Sequence, residues 1–93
     1  MSILVTFSPP SLTADQYDEI VARQYELGIF PDKGLDTQVC YGAGGQMKVA
    51  IVLDSMEAFQ RLATGLMPIV AEMGLATGAP GIFEVHDIIR RGE

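Results

Sequence analysis

His86 is the only histidine in the chain, and its imidazole is the only side chain whose ordinary ionisation falls near neutral pH. Glu84 stands two residues before it, and in an extended segment that spacing puts both on one face. A carboxylate beside an imidazole orients it as a general base, suited to removing a proton from an acidic phenol or enol. The same pair also reads as a hydrogen-bonded histidine at an interface. Cys40, the only cysteine, needs a base and an electropositive setting to act as a nucleophile. Its neighbours Asp36 and Gln38 supply neither, so it reads as a small hydrophobe. Lys48 reads either as an anchor for an anionic or quinonoid ligand or as the partner of an acidic residue at a sheet edge. Gly42-Ala43-Gly44-Gly45 opens no helix that could meet a phosphate, and reads as a hairpin turn. Met47, Met56, Met67 and Met73 read as adaptable contacts in core and interface.

These residues are positioned by six elements. Ile3, Val5 and Phe7 alternate with Leu4 and Thr6, and Pro9-Pro10 stops that strand by removing two backbone donors. Thr13 and Gln16 have capping-box spacing, with Leu12 and Tyr17 placed as a hydrophobic staple. A helix follows, with Ala14, Tyr17, Ile20, Val21, Gln24 and Leu27 on its inner stripe and Gly28 as its terminator. The second strand spans about 35 to 42, with Tyr41 in the hairpin; Tyr25 has no fixed place. Met47 to Leu53 is rich in β-branched residues and pairs with it. Asp54 and Glu57 have capping geometry for a second helix that begins near Ser55. Its stripe is Phe59, Leu62, Ala63, Leu66, Met67, Val70 and Met73, with a kink or restart expected between Gly65 and Pro68 and an end at Gly74. Ile82 to Ile89 makes the last strand, followed by a polar tail from Arg90 to Glu93.

The order β-α-β-β-α-β predicts one α+β domain over 1–93 with a ferredoxin-like plan, a four-stranded antiparallel sheet with both helices on one face. Period-two parity puts Ile3, Val5, Phe7, Met47, Val49, Ile51, Leu53, Phe83 and Val85 against the helices. The opposite face then carries Leu4, Thr6, Asp36, Gln38, Cys40, Lys48, Ala50, Val52, Ile82, Glu84, His86 and Ile88. That mixture is too apolar for water and too polar for a dry core, so a second copy of the chain is expected to cover it. Between the two sheets Thr6, Gln38, Cys40, Lys48, Ala50 and Val52 are the expected lining of a ligand cavity.

Composition narrows the classes. Six Lys and Arg against twelve Asp and Glu give a net charge of −6, which repels nucleic acid and anionic membranes. One His and one Cys offer too few ligands for zinc, haem or an iron–sulfur centre, so no metal or other cofactor is expected. A single Cys fits a reducing cytoplasm, and the apolar run from Val49 to Leu53 is far short of the roughly 20 residues a membrane span needs.

The corner Val52-Leu53-Asp54-Ser55-Met56-Glu57-Ala58-Phe59, then Leu62, Leu66-Met67-Pro68-Ile69 and Phe83-Glu84-Val85-His86, resembles the dimeric α+β barrel superfamily. Within it the chain is similar to the small antibiotic-biosynthesis-monooxygenase-like proteins, from Ser2 to about Ile89. The resemblance implies a homodimer whose sheets form a barrel, with a pocket in each protomer between the sheet and its helices or partner. Family members that oxidise aromatic polyketides or degrade haem use Asn and Trp with a His, Tyr or Arg. This chain has no Asn and no Trp, so neither set carries over, and Leu53 stands where an aromatic residue is usual. Two readings follow. One is a monooxygenase-like protein that binds a small apolar or aromatic molecule, with cofactor-independent oxidation by His86 and Glu84. The other is a non-catalytic binding, regulatory or structural homodimer.

Overall fold

The computed structural model describes residues 1–92, so Glu93, the end of the expected polar tail, lies outside the described residues. Six elements follow in order: β1 (Ile3–Phe7), α1 (Ala14–Glu26), β2 (Leu35–Ala43), β3 (Gln46–Leu53), α2 (Met56–Glu72) and β4 (Gly81–Glu84). The sheet runs β2-β3-β1-β4, with every neighbouring pair antiparallel. This is the ferredoxin-like α+β plan that the element order predicts.

The helix starts follow from their capping residues. The Thr13 hydroxyl accepts from the Gln16 backbone N–H at 3.1 Å while the Gln16 side chain accepts from Thr13 N–H at 2.9 Å, a closed capping box. At α2 the cap is Ser55 rather than Asp54: its hydroxyl accepts from Ala58 N–H at 3.2 Å. Gly28 and Gly74 take positive φ just past the two helices, the backbone form in which glycine pays no Cβ penalty. Pro68 lies inside one uninterrupted α2. No restart occurs, because Thr64 and Pro68 both stand on the exposed side, where water solvates the carbonyl that Pro68 cannot serve.

The core sits between the sheet and the helices. Ile3, Val5, Phe7, Val49, Ile51 and Leu53 face Ile20, Ala58, Leu62, Ile69 and Val70, with Leu12 closing one end. Val5 and Leu53 are fully buried. The helical stripes are narrower than the periodicity predicts, since Leu27 and Met67 are exposed.

Two strands present faces opposite to those expected. In β2, Leu35 pairs with Leu53 but Thr37 pairs with Val52, so a bulge at Asp36 advances β2 by one extra residue. Every later residue changes side. Gln38 and Cys40, opposite Ile51 and Val49, point to the helices, while Thr37, Val39 and Tyr41 join the open face. Asp36 at the bulge forms an ion pair with Arg90. In β4, the register with β1 puts Ile82 and Glu84 on the helix side, opposite Val5 and Ile3, and Phe83 on the open face, opposite Leu4. Gly81 permits this: a Cβ there would sit 2.6 Å from Thr6 Oγ1 and 2.9 Å from the Phe83 ring. The strand ends at Glu84, not at Ile89, and Val85 N–H reaches Ser2 O at 3.0 Å.

The open face thus carries Leu4, Thr6, Val39, Tyr41, Lys48, Ala50, Val52 and Phe83. It is more apolar than parity alone predicts, because the bulge has moved Gln38 away and brought Val39 and Tyr41 in. Val39 is 50% and Phe83 55% exposed. Among the described residues no helix is long and apolar enough to cross a membrane.

Candidate functional site

Where β1 ends, the sheet and helices leave a cavity. Phe7, Val49 and Ile51 form its floor, Ile20, Leu62 and Val70 its walls, and Pro9 with Leu75, Ala76 and Thr77 its mouth. The cavity measures about 60 Å³. That volume exceeds several-fold the ~10–15 Å³ needed for one water.

Four polar side chains line this otherwise apolar space: Tyr17 and Gln24 of α1, Gln38 of β2, and Thr77, whose hydroxyl donates to Gly78 O at 3.1 Å. Tyr17 and Gln24 lie seven residues apart, two helical turns, and so share a face. Gln38 reaches them only because of the bulge at Asp36. Its Nε2 donates to the Tyr17 hydroxyl oxygen at 2.8 Å. Its Oε1 is buried without a hydrogen-bond partner among the described residues. Gln24 is 3% exposed as a residue, and its amide makes no side-chain hydrogen bond among the described residues, but its polar atoms are not buried like Gln38 Oε1. Buried polar atoms are satisfied in the large majority of cases, and unpaired ones mark strain or function. Burial pushes the Tyr17 phenol above its usual ionisation range, and the hydrogen bond from Gln38 offsets only part of that shift. The Cys40 thiol is pushed up by burial and by the charge of Asp18. Both therefore stay protonated at neutral pH.

Of the residues singled out in the sequence, Thr6, Lys48, Ala50 and Val52 stand together on the open face, with Thr6 and Ala50 direct cross-strand partners. Gln38 and Cys40 do not join them. Gln38 lines the cavity on the other side of the sheet, and Cys40 packs partly buried against the core. His86 and Glu84 are both exposed, His86 lies beyond the end of β4, and no hydrogen bond joins the two. Neither lines the cavity. Tyr17 and Gln24 carried a signal that the stripe of α1 obscured: a glutamine at an inward-facing position between apolar residues is a buried polar group in need of a partner. Among the described residues no group of three or more His, Cys, Asp or Glu is placed to hold a metal ion.

No protein-family model matches the sequence, and no curated protein matches it. Solved structures do. SnoaB, a cofactor-independent oxygenase from Streptomyces nogalater, superposes with a TM-score of 0.60 at 18% identity, over 95% of this chain and 94% of its own. A protein of Deinococcus radiodurans named as an antibiotic biosynthesis monooxygenase gives a TM-score of 0.62 at 11% identity, over 97% of both chains. MupZ from Pseudomonas fluorescens gives 0.66 at 8% identity, and the chain, matched over 87% of its length, spans 66% of MupZ. The chain has the fold of the antibiotic-biosynthesis-monooxygenase-like proteins. At these identities the likeness concerns fold, and the chemistry has to be argued from the cavity.

Proposed function

We propose that the protein binds a small apolar or aromatic molecule in the cavity between its sheet and helices. It does so as a single-domain homodimer in which two open sheet faces cover one another. The observation that carries the first part is an apolar cavity lined by four polar side chains, one of which holds a buried acceptor without a partner among the described residues. The second part rests on the exposed Val39, Tyr41 and Phe83, a contiguous apolar surface with Leu4 and Val52. A reducing cytoplasm, in which Cys40 stays a thiol, completes the reading. Native mass spectrometry of the gently purified protein tests it. A dimer carrying a small organic molecule supports the proposal; a monomer, or a dimer that takes up no added aromatic compound, contradicts it.

A second reading, oxidation of that ligand without a cofactor, is favoured by the fold shared with SnoaB. It needs a proton acceptor, and the cavity's own phenol is held protonated. The task then falls to His86 with Glu84, outside the cavity lining of the protomer. Consumption of oxygen with a hydroxylated aromatic compound, lowered about 10²–10⁴-fold in His86→Ala, is the expected result of that reading. An unchanged rate in the variant removes His86 from the chemistry.

A further inference from the structure

Resting on the cavity-binding reading above, we infer that the site accepts its ligand only in an uncharged form, through a hydroxyl or amino group that donates to Gln38 Oε1. Among the described residues the lining contains no Asp, Glu, Lys, Arg or His. Its polar side chains are two primary amides, one phenol and the Thr77 hydroxyl, all neutral dipoles. Lys48 is on the opposite face of the sheet, Arg23 is held by Glu19 and Glu72, and Arg61 is held by Asp32. The titratable groups that act on Tyr17 are Cys40, Asp18 and Tyr25, none of them a cation. An anion entering this space would lose its water and gain no counter-charge, and an ammonium would find no carboxylate in the lining.

The hydrogen-bond pattern points the same way. Gln38 spends Nε2 on the Tyr17 oxygen, which leaves Oε1 as an acceptor and the Tyr17 hydroxyl hydrogen as a donor, side by side. A ligand hydroxyl satisfies both at once, donating to Oε1 and accepting from Tyr17. Once ionised, the same oxygen has no proton to donate and faces Oε1 as a second acceptor. Buried Gln24 supplies a further amide at the wall without adding charge. Size limits the pose: the cavity of about 60 Å³ is smaller than the ~150 Å³ that holds a benzene ring, so it takes the hydroxyl-bearing edge of a ring and leaves the remainder outside.

Equilibrium binding of three probes to the wild-type protein across pH tests this. They are para-nitrophenol, which ionises near neutral pH, para-nitroaniline, which stays neutral and donates, and nitrobenzene, which has no donor. The dissociation constant for para-nitrophenol is expected to be flat below its ionisation and to rise about tenfold per pH unit above it. That for para-nitroaniline stays flat throughout, and nitrobenzene binds about tenfold more weakly than para-nitroaniline. In Gln38→Met the preference for para-nitroaniline over nitrobenzene disappears. Binding of para-nitrophenolate as tight as that of the phenol, or nitrobenzene binding as tightly as para-nitroaniline, overturns the inference and leaves the cavity as a binding site. Failure of all three probes to bind removes the cavity reading itself.

Discussion

Replacing Gln24 by Met separates a residue kept for binding from one kept for folding. Gln24 is 3% exposed, lies among Ile20, Leu62 and Val70, and its amide has no side-chain partner among the described residues. Gln38 Oε1 is the one buried side-chain atom without a partner among the described residues, so the Gln24 amide atoms keep contact with the cavity space and cost less than the about 1–3 kcal/mol of a fully buried, uncompensated amide. Methionine has nearly the same length and shape and about the same helix propensity, so α1 and the cavity wall keep their form while the desolvation cost disappears. The variant is therefore expected to be more stable by up to about 1 kcal/mol. In a domain of this size each kcal/mol moves the melting temperature by about 4–8 °C, so a rise of up to about 8 °C is expected. Thermal unfolding followed by circular dichroism without added ligand reads the effect, and para-nitroaniline binding, measured in parallel, should weaken. Higher stability with poorer binding is the signature of a polar group retained for function. A lower melting temperature would refute the reasoning, because it would show that the Gln24 amide is satisfied inside the fold.

Val52→Asp, at the centre of the open face opposite Leu4, should shift the protein from dimer to monomer in analytical ultracentrifugation at micromolar concentration; an undisturbed dimer would place the contact elsewhere. Gly34→Ala should destabilise by about 1–3 kcal/mol, since its Cβ would lie 2.6 Å from both Ala58 Cβ and Asp54 Oδ1 where α2 leaves the sheet, and chemical denaturation measures it. The Tyr17 phenol, raised chiefly by burial, should titrate later than an ordinary tyrosine in ultraviolet absorbance. A folded state that holds its proton more tightly than the unfolded chain loses stability as pH rises past about 10, and this contribution is fully present below that pH. Tyr17→Phe should remove that alkaline loss.

Local rules made most of the fold legible in the sequence. Thr13 with Gln16, Gly28 and Gly74 set helix ends, the cap of α2 falls at Ser55, one residue after the expected Asp54, and the alternation of Ile3, Val5 and Phe7 with that of Val49, Ile51 and Leu53 marks the helix-facing side of two strands. The candidate site was far less legible, and the reason is parity. A period of two says which residues share a face but not which face it is once a bulge intervenes. Asp36 gives no sequence sign of a bulge, yet it turns Gln38 and Cys40 to the helices and Val39 and Tyr41 outward. In β4 the pattern Ile82-Phe83-Glu84-Val85 offers an apolar residue to either side, and the choice is made by Gly81, which leaves room for the Phe83 ring beside Thr6. The expected ligand lining was thereby split, with Gln38 in the sheet–helix cavity and Thr6, Lys48, Ala50 and Val52 on the open face.

Whether a ligand sits between the sheet and its helices is measured most directly by following the side-chain amide resonances of the protein in a two-dimensional nitrogen–proton spectrum while para-nitroaniline is added. The Gln24 and Gln38 amide pairs should shift together and saturably, with the backbone of Thr77 at the mouth moving alongside them. Shifts confined to Lys48, Ala50 and Val52, with both glutamine amides unmoved, would put the ligand on the open face of the sheet and contradict the account.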